Sequence, residues 1–366
     1  MNITISREDI LKPLGYIAGV VERRQTLPIL SNVLLRMEDG ALWLTGTDLE
    51  VEVTSRVEGA SGEGGEVTVG ARKLMDICRA LPEEAEIKIS TDGARALIRS
   101  GRSRFTLQTL PAEDFPRVET EQWEHELTGL DPAALHRLLE KTAFAMAVQD
   151  VRYFLNGLLL ELRAEALRAV ATDGHRLAMS NLPMGASEEI RQVIVPRKAV
   201  MELVRLLGDA EGEAALRLGT NHVRVEAGQV VFTSKLIDGR YPEYGKVIPV
   251  DLPVRVDLDR RIFRETLARA AILTNEKFRG VRLTLRPGTL VVTANNPDQE
   301  EASDEMEVDY NGSEVEVGFN VNYLLDALNA LEGDRVDFEL RDQNTSCILR
   351  SPEDPETLYL VMPMRL

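Results

Sequence analysis

Apolar residues along this chain follow two alternating rhythms. Ile10, Leu11, Leu14, Ile17 and Ala18 fall three and four residues apart, the spacing of one buried helix face. A compact apolar run, SNVLLRM, follows and reads as a strand. The same succession returns twice, as DPAALHRLLEKTAFAM before NGLLLEL and as DRRIFRETLARAAIL before RGVRLTL. In the last of these, Ile262, Phe263, Leu267 and Ala270 give a looser stripe. Each helix-and-strand pair leads into a strand, a polar turn and a strand: WLTGTDLEVEVTSRV, RAVATDGHRLAMSNL and LVVTANNPDQEEASDEMEV. Asp48, Asp173 and Asn296 occupy equivalent turns, separated by 125 and 123 residues. Asp and Asn suit such turns because they bond to their own backbone. A second helix and strand come next in each case: GARKLMDICRALPEEAEIKI, PRKAVMELVRLL and NVNYLLDALNALEGDRVDFEL. A strand pair then closes the unit: SRFTLQTLPAEDFPRV, VVFTSKLIDGRYPEYGKVI and TSCILRSPEDPETLYLVMPMRL.

Order and spacing kept through three copies predict a triplicated α+β unit, each copy laying two helices on mainly antiparallel strands. Helices are expected over 7–24, 72–80, 131–141, 197–205, 259–269 and 320–331. Polar or Pro-containing stretches at 119–124 and 249–253 mark the joins and give domains 1–122, 123–250 and 251–366.

The length of 366 residues, too great for one core, agrees with several domains. No apolar run reaches the ~18 residues of a membrane span. MNITISREDILKPL lacks a basic segment followed by an apolar one, so the expectation is a cytoplasmic protein without a signal peptide or membrane partner. Cys78 and Cys347 lie far apart, form no CxxC and read as small buried hydrophobes.

Catalytic signatures are scarce. His125, His136, His175 and His222 are the only histidines, and none belongs to HExxH or a Cys/His cluster. GxSxG and a DxDxDG calcium loop are absent. GASGEGGE (59–66) has neither the spacing nor the Lys of a phosphate loop and reads as a flexible surface loop. Asp173 and His175 share the TDGHR turn, but no nucleophile accompanies them, so His175 reads as structural or peptide-contacting. No cofactor or metal is expected.

The net charge of −17 argues against nucleic acid until its distribution is examined. The six expected helices carry +6 and the rest of the chain −23. A weakly basic helical face on an acidic body would hold a polyanion loosely, without sequence preference, and let it slide.

Several blocks are long and distinctive: TLPILSN (26–32), LTGTDLE (44–50), SGRSRF (100–105), QDVRYFLNG (149–157), ATDGHRLA (171–178), VIVPRK (193–198), FTSKLIDGRYPEY (232–244), NEKFRGVRL (275–283), ANNPDQEEA (294–302), GFNVNYLLDALNAL (318–331) and VMPMRL (361–366). With them the chain resembles, from end to end, the β subunit of bacterial DNA polymerase III, the sliding-clamp family. The resemblance implies a DNA-clamp fold of three repeated domains in a head-to-tail homodimeric ring, with helices lining the hole. Twelve helices at about 9 Å spacing give a helix-axis diameter of about 35 Å. Removing a helix radius of about 5 Å on each side leaves room for duplex DNA. Such a ring is a non-catalytic processivity factor, retained by topology.

By this resemblance Arg24, Gln149, Tyr153, Arg197 and Lys198 face DNA, although Phe154 stands where the family often has a second tyrosine. A peptide cleft is implied at Leu155, Thr172, Gly174, His175, Arg176, Leu177, Pro242, Val247, Tyr323, Ser346, Leu360, Val361, Met362, Pro363, Met364 and Arg365. Its methionines suit varied peptides with Leu and Phe anchors. The dimer contact is implied between Lys73, Arg102, Arg104, Phe105 and Leu107 on one side and Ile272, Leu273, Glu300, Glu301 and Glu305 on the other. Basic meets acidic around an apolar centre, as suits a heterologous, ring-closing interface. Implied partners are duplex DNA, a second copy, the clamp loader, the polymerase III catalytic subunit, other DNA polymerases, mismatch-repair proteins and ligase.

Two readings compete. A metal-dependent nuclease would use Asp48, Asp173 and the acidic 298–305 run, but these sit in different repeats and face their own turns. An adaptor without a DNA role would not need the basic helices.

Overall fold

The computed structural model describes residues 1–21, 27–118, 122–185 and 190–365. Six α-helices are found among them: α1 (Arg7–Val20), α2 (Ala71–Ala80), α3 (Pro132–Ala143), α4 (Arg197–Gly208), α5 (Arg260–Ala271) and α6 (Val321–Ala330). They come in the pairs that the repeats predict, and the sequence dictates their starts. Ser6 accepts the Asp9 N–H at α1, Asp259 the Ile262 N–H at α5 and Asn320 the Asn322 N–H at α6. Each satisfies a donor that a helix start leaves open. Pro132 opens α3, where its missing N–H costs nothing.

Helix α1 is shorter than expected, ending at Val20 rather than at residue 24. Val21, at φ −71° and ψ 115°, is already extended, and Arg72 Nη2 donates to its carbonyl (3.1 Å) just beyond the helix. Ile10, Leu14 and Ile17 are buried as the stripe predicts, whereas Leu11 and Ala18 are only half-buried. In α5, Phe263, Leu267 and Ala270 are buried but Ile262 is exposed.

The described residues form two compact units, Met1–His136 with Met201–Leu236 and Arg137–Val200 with Ile237–Leu366. The first contains a 13-stranded antiparallel sheet. Its order is His125–Leu130, Ala214–Leu218, His222–Ala227, Val230–Lys235, Val51–Val57, Ala41–Thr47, Asn32–Glu38, Gly65–Gly70, Ser103–Leu110, Arg95–Ser100, Glu86–Asp92, Asn2–Ser6 and Ser61–Glu63. Strand Val230–Lys235 of the second repeat pairs here with Val51–Val57 of the first. Helix α1 packs on Val51–Val57 and Ala41–Thr47. Gly46 permits this, since a Cβ there would stand 2.5 Å from Ile17 Cγ2. The Gly-rich segment is more ordered than its composition implies: Ser61–Glu63 is an edge strand beside Asn2–Thr4.

The second unit holds an 8-stranded and a 4-stranded antiparallel sheet. The larger runs Arg191–Pro196, Gly157–Leu162, Ala166–Thr172, Arg176–Pro183, Asp354–Val361, Cys347–Ser351, Arg335–Leu340 and Val254–Asp259. Here Arg176–Pro183 of the second repeat pairs with Asp354–Val361 of the third. The smaller runs Glu301–Glu307, Thr289–Asn295, Gly280–Arg286 and Val315–Asn320, under α5. Its edge also takes the chain's end, because Met364 N–H donates to Gly318 O (2.8 Å). Pairing strands of successive repeats covers edges that would otherwise stay open.

Candidate peptide groove and its neighbours

The three equivalent turns close in the same way. Asp48 Oδ1 accepts the N–H groups of Glu50 (2.9 Å) and Val51 (2.7 Å). Asp173 Oδ1 accepts those of His175 (2.9 Å) and Arg176 (3.0 Å). Asn296 Oδ1 accepts those of Asp298 (3.1 Å) and Glu300 (3.0 Å). The middle turn carries the longest network. Asp173 Oδ2 also takes Arg176 Nε (3.1 Å), and the same guanidinium reaches Asp326 and Phe144 O (2.9 Å). Arg176 lies over the Tyr323 ring at 4.6 Å, and His175 stacks on that ring with centroids 6.5 Å apart.

Around this turn a hydrophobic cluster gathers Leu155, Leu177, Tyr241 and Leu360, with Met362, Ile248 and Phe154 packed on it. Leu155, Leu177, Leu360 and Val361 are buried and form the floor. The rim is accessible: His175, Pro242, Val247 and Arg365 are exposed, and Thr172, Gly174, Arg176, Tyr323, Ser346, Met362, Pro363 and Met364 are half-buried. Thr172 Oγ1 donates to Arg176 O (2.6 Å) and accepts the Gly174 N–H (3.1 Å). Its own N–H donates to the Tyr241 hydroxyl (3.1 Å), and burial pushes the proton affinity of that hydroxyl up. Met362 N–H donates to His175 O (2.9 Å), tying the C-terminal segment to the turn. All sixteen expected cleft residues lie in the second unit.

Sequence reasoning missed Arg152. It clasps the Asp150 carboxylate through Nε (3.0 Å) and Nη2 (2.8 Å), and Nη2 also donates to Asp173 O (3.1 Å). These hydrogen bonds hold the Asp150 carboxyl down at about 2. Gly174 is needed here because its φ of +89° lies where side chains with a Cβ are strained, and a Cβ would also push on Arg152 Nη1. Arg152 thus fastens loop 148–153 to the groove turn.

That loop carries Gln149, exposed and at φ +55°, and Tyr153, which is 55% exposed and edge-on to Phe154. Arg197 and Lys198 begin α4 and are half-buried. One Arg197 nitrogen approaches Met146 O (3.3 Å), beyond the end of α3. Arg24 lies outside the described residues.

The expected dimer residues lie on two sheet edges. In Ser103–Leu110, residues 103–108 pair only with Arg95–Ser100 among the described residues. Arg104 is exposed there while Phe105 and Leu107 are half-buried; Arg102 and Lys73 are exposed nearby in sequence or on α2. Glu301–Glu307 is the edge of the 4-stranded sheet and, among the described residues, pairs only with Thr289–Asn295. Glu300, Glu301 and Glu305 are exposed on it, Ile272 beyond α5 is 77% exposed, and Leu273 is half-buried.

Among the described residues no three His, Cys, Asp or Glu converge as metal ligands, and no helix is long and apolar enough to cross a membrane. Both thiols are buried, with that of Cys78 pushed up to about 12.

A triplicated α+β chain with an apolar floor beneath an accessible rim is a repeat protein with a candidate binding surface. Comparison with known proteins narrows this class. Family models for the DNA polymerase III beta subunit match residues 1–119 (N-terminal domain), 129–243 (central domain) and 245–365 (C-terminal domain). The beta sliding clamp of Pseudomonas putida is 53% identical over 369 residues and that of Escherichia coli 50% over 367, each pair matching over 100% of both chains. A crystal structure of the DNA polymerase III subunit beta from Pseudomonas aeruginosa superposes with a TM-score of 0.97 at 52% identity, covering 100% of both chains. Another from that organism, bound to griselimycin, gives 0.96 at 52%, again with full coverage. The chain belongs to the beta sliding clamp family of DNA polymerase III. It is a non-catalytic processivity factor, and the nuclease reading falls.

Proposed function

We propose that two copies of this chain close head to tail around duplex DNA, and that the groove beside Asp173 tethers the replicative polymerase to the ring. Two strand flanks without a partner among the described residues carry this reading. One is basic, with Arg102 and Arg104 around Phe105 and Leu107; the other is acidic, with Glu300, Glu301 and Glu305 beside Ile272 and Leu273. Laid edge to edge they would continue the sheet across the joint, with Lys73 adding positive charge to the first side. Each subunit would divide at 122/123 and 250/251.

Gln149, Tyr153, Arg197 and Lys198 would meet the phosphates, joined by Arg24. Few and weak contacts suffice, because linkage through the ring retains it and loose contacts allow sliding. The groove would accept short apolar peptides in turn from the clamp loader, the polymerase III catalytic subunit, other DNA polymerases, mismatch-repair proteins and ligase, in the cytoplasm. The relative crystallised with griselimycin supports a ligand-accepting surface, and we propose that this chain binds griselimycin in competition with such peptides.

The test loads purified protein onto nicked circular DNA with a clamp loader and then linearises the circle. Retention on the circle with rapid loss on linearisation is expected. Equal loss from both templates overturns the proposal.

A further inference from the structure

We infer that Tyr244 is a positioning residue that holds one wall of the groove. The inference rests on the peptide-groove reading above. It begins at an oddity of the strand Gly157–Leu162, which is buried throughout yet contains Glu161, only 5% exposed. A carboxylate so placed needs partners. Gln192, Glu161, Arg168 and Asn181 are direct cross-strand neighbours, forming a polar row over four adjacent strands of the 8-stranded sheet. Gln192 Nε2 donates to Glu161 Oε1 (2.6 Å), Arg163 Nη1 to Oε2 (3.3 Å), and Arg168 Nε to Asn181 Oδ1 (2.7 Å). Tyr244 completes the row from outside the sheet. Its hydroxyl donates to Glu161 Oε2 (2.8 Å) and accepts from Arg168 Nη1 (3.1 Å).

The ring of Tyr244 packs on the apolar cluster that makes the groove floor. Tyr244 also opens the short 3-10 turn Tyr244–Lys246, and Val247 N–H donates to its carbonyl (3.1 Å). Pro242 lies two residues before it, and the Tyr244 N–H donates to Pro242 O (2.7 Å). Both exposed wall residues are thus one hydrogen bond from Tyr244, in a stretch without strand pairing from 236 to 253. The Tyr241 hydroxyl ties the stretch to the Thr172 N–H, but apolar packing alone would let the part beyond it slide. A hydroxyl that must meet both a buried acceptor and a half-buried donor has one position, and that position sets Pro242 and Val247.

The experiment uses the full chain and a fluorescein-labelled linear heptapeptide bearing one Leu and one Phe anchor, read by anisotropy and stopped-flow dissociation. Tyr244→Phe is expected to weaken binding about tenfold, mostly through faster dissociation. Val247→Ala is expected to weaken the wild type but to add little in the Tyr244→Phe background, because a loosened wall no longer presents that side chain. A merely structural role would make the two losses additive. Arg168→Met should reproduce the Tyr244→Phe effect and serves if the latter fails to fold. Wild-type affinity in a folded Tyr244→Phe or Arg168→Met variant, or additive losses, overturns the inference. Failure of the wild type itself to bind the peptide overturns the groove reading instead, and the wall with it.

Discussion

Asp48→Ala and Asp173→Ala remove the same turn closure from two repeats and should separate local stability from function. Each carboxylate accepts two backbone N–H groups, at 2.9 and 2.7 Å for Asp48 and at 2.9 and 3.0 Å for Asp173. At about 1 kcal/mol per bond, either change should cost about 2 kcal/mol. Asp173 also holds Arg176, in a pair whose side chains are only 17% and 13% exposed. Such shelter lifts it above the usual surface pair, so about 1 kcal/mol more should be lost. Arg176 keeps Asp326 and Phe144 O, which limits the further damage. Denaturant midpoints should therefore fall for both variants, somewhat more for Asp173→Ala. Peptide affinity should fall at least about tenfold for Asp173→Ala alone, since its turn presents Thr172 and His175 to the groove. Anisotropy with the labelled heptapeptide reads this directly. Equal weakening by Asp48→Ala, or full affinity in Asp173→Ala, would refute the reasoning. A metal-dependent DNA cleavage that vanished in Asp173→Ala would restore the nuclease reading.

Ile272→Asp places a charge at the apolar centre of the proposed joint. Sedimentation should show monomers, with the monomer's stability within about 0.5 kcal/mol of wild type because the residue is so exposed. Burial raises the Glu52 carboxyl above its ordinary value, against the Val118 N–H bond and the charges of Arg224, Arg117 and His222. The folded state therefore holds this proton more tightly than the unfolded one. Its contribution to stability is present in acid and is lost as pH rises through the raised value. Glu52→Gln should raise the melting temperature near neutral pH, and the gain should vanish below the ordinary carboxylate range, about pH 4.

The helix pairs and the three Asx turns were legible because they follow from local periodicity and from side chains bonding to their own backbone. The end of α1 was not: the chain turns extended at Val21, whose carbonyl is bonded by Arg72 from a distant segment. Ile262 fits the apolar stripe of α5 yet is exposed, since periodicity gives a face and not what covers it. The division of the second repeat's strands between two sheets depends on pairing across repeats, which no single repeat encodes. The groove floor was readable as apolar runs, but Tyr244 and Arg168 act through partners far along the chain, and Arg152 joins its neighbour Asp150 to a turn 21 residues on. One cue was present: Glu161 is a lone charge in the apolar run NGLLLEL.

The pairing of Arg176–Ser180 with Thr357–Val361 has a practical consequence for dissection. A fragment of residues 251–366 would bare the backbone of Thr357–Val361 together with Leu358 and Leu360, both buried in the intact chain. Such a flank is a ready template for strand addition. The excised piece should therefore be sticky and self-associating, and shortened versions are poor tools for mapping partners.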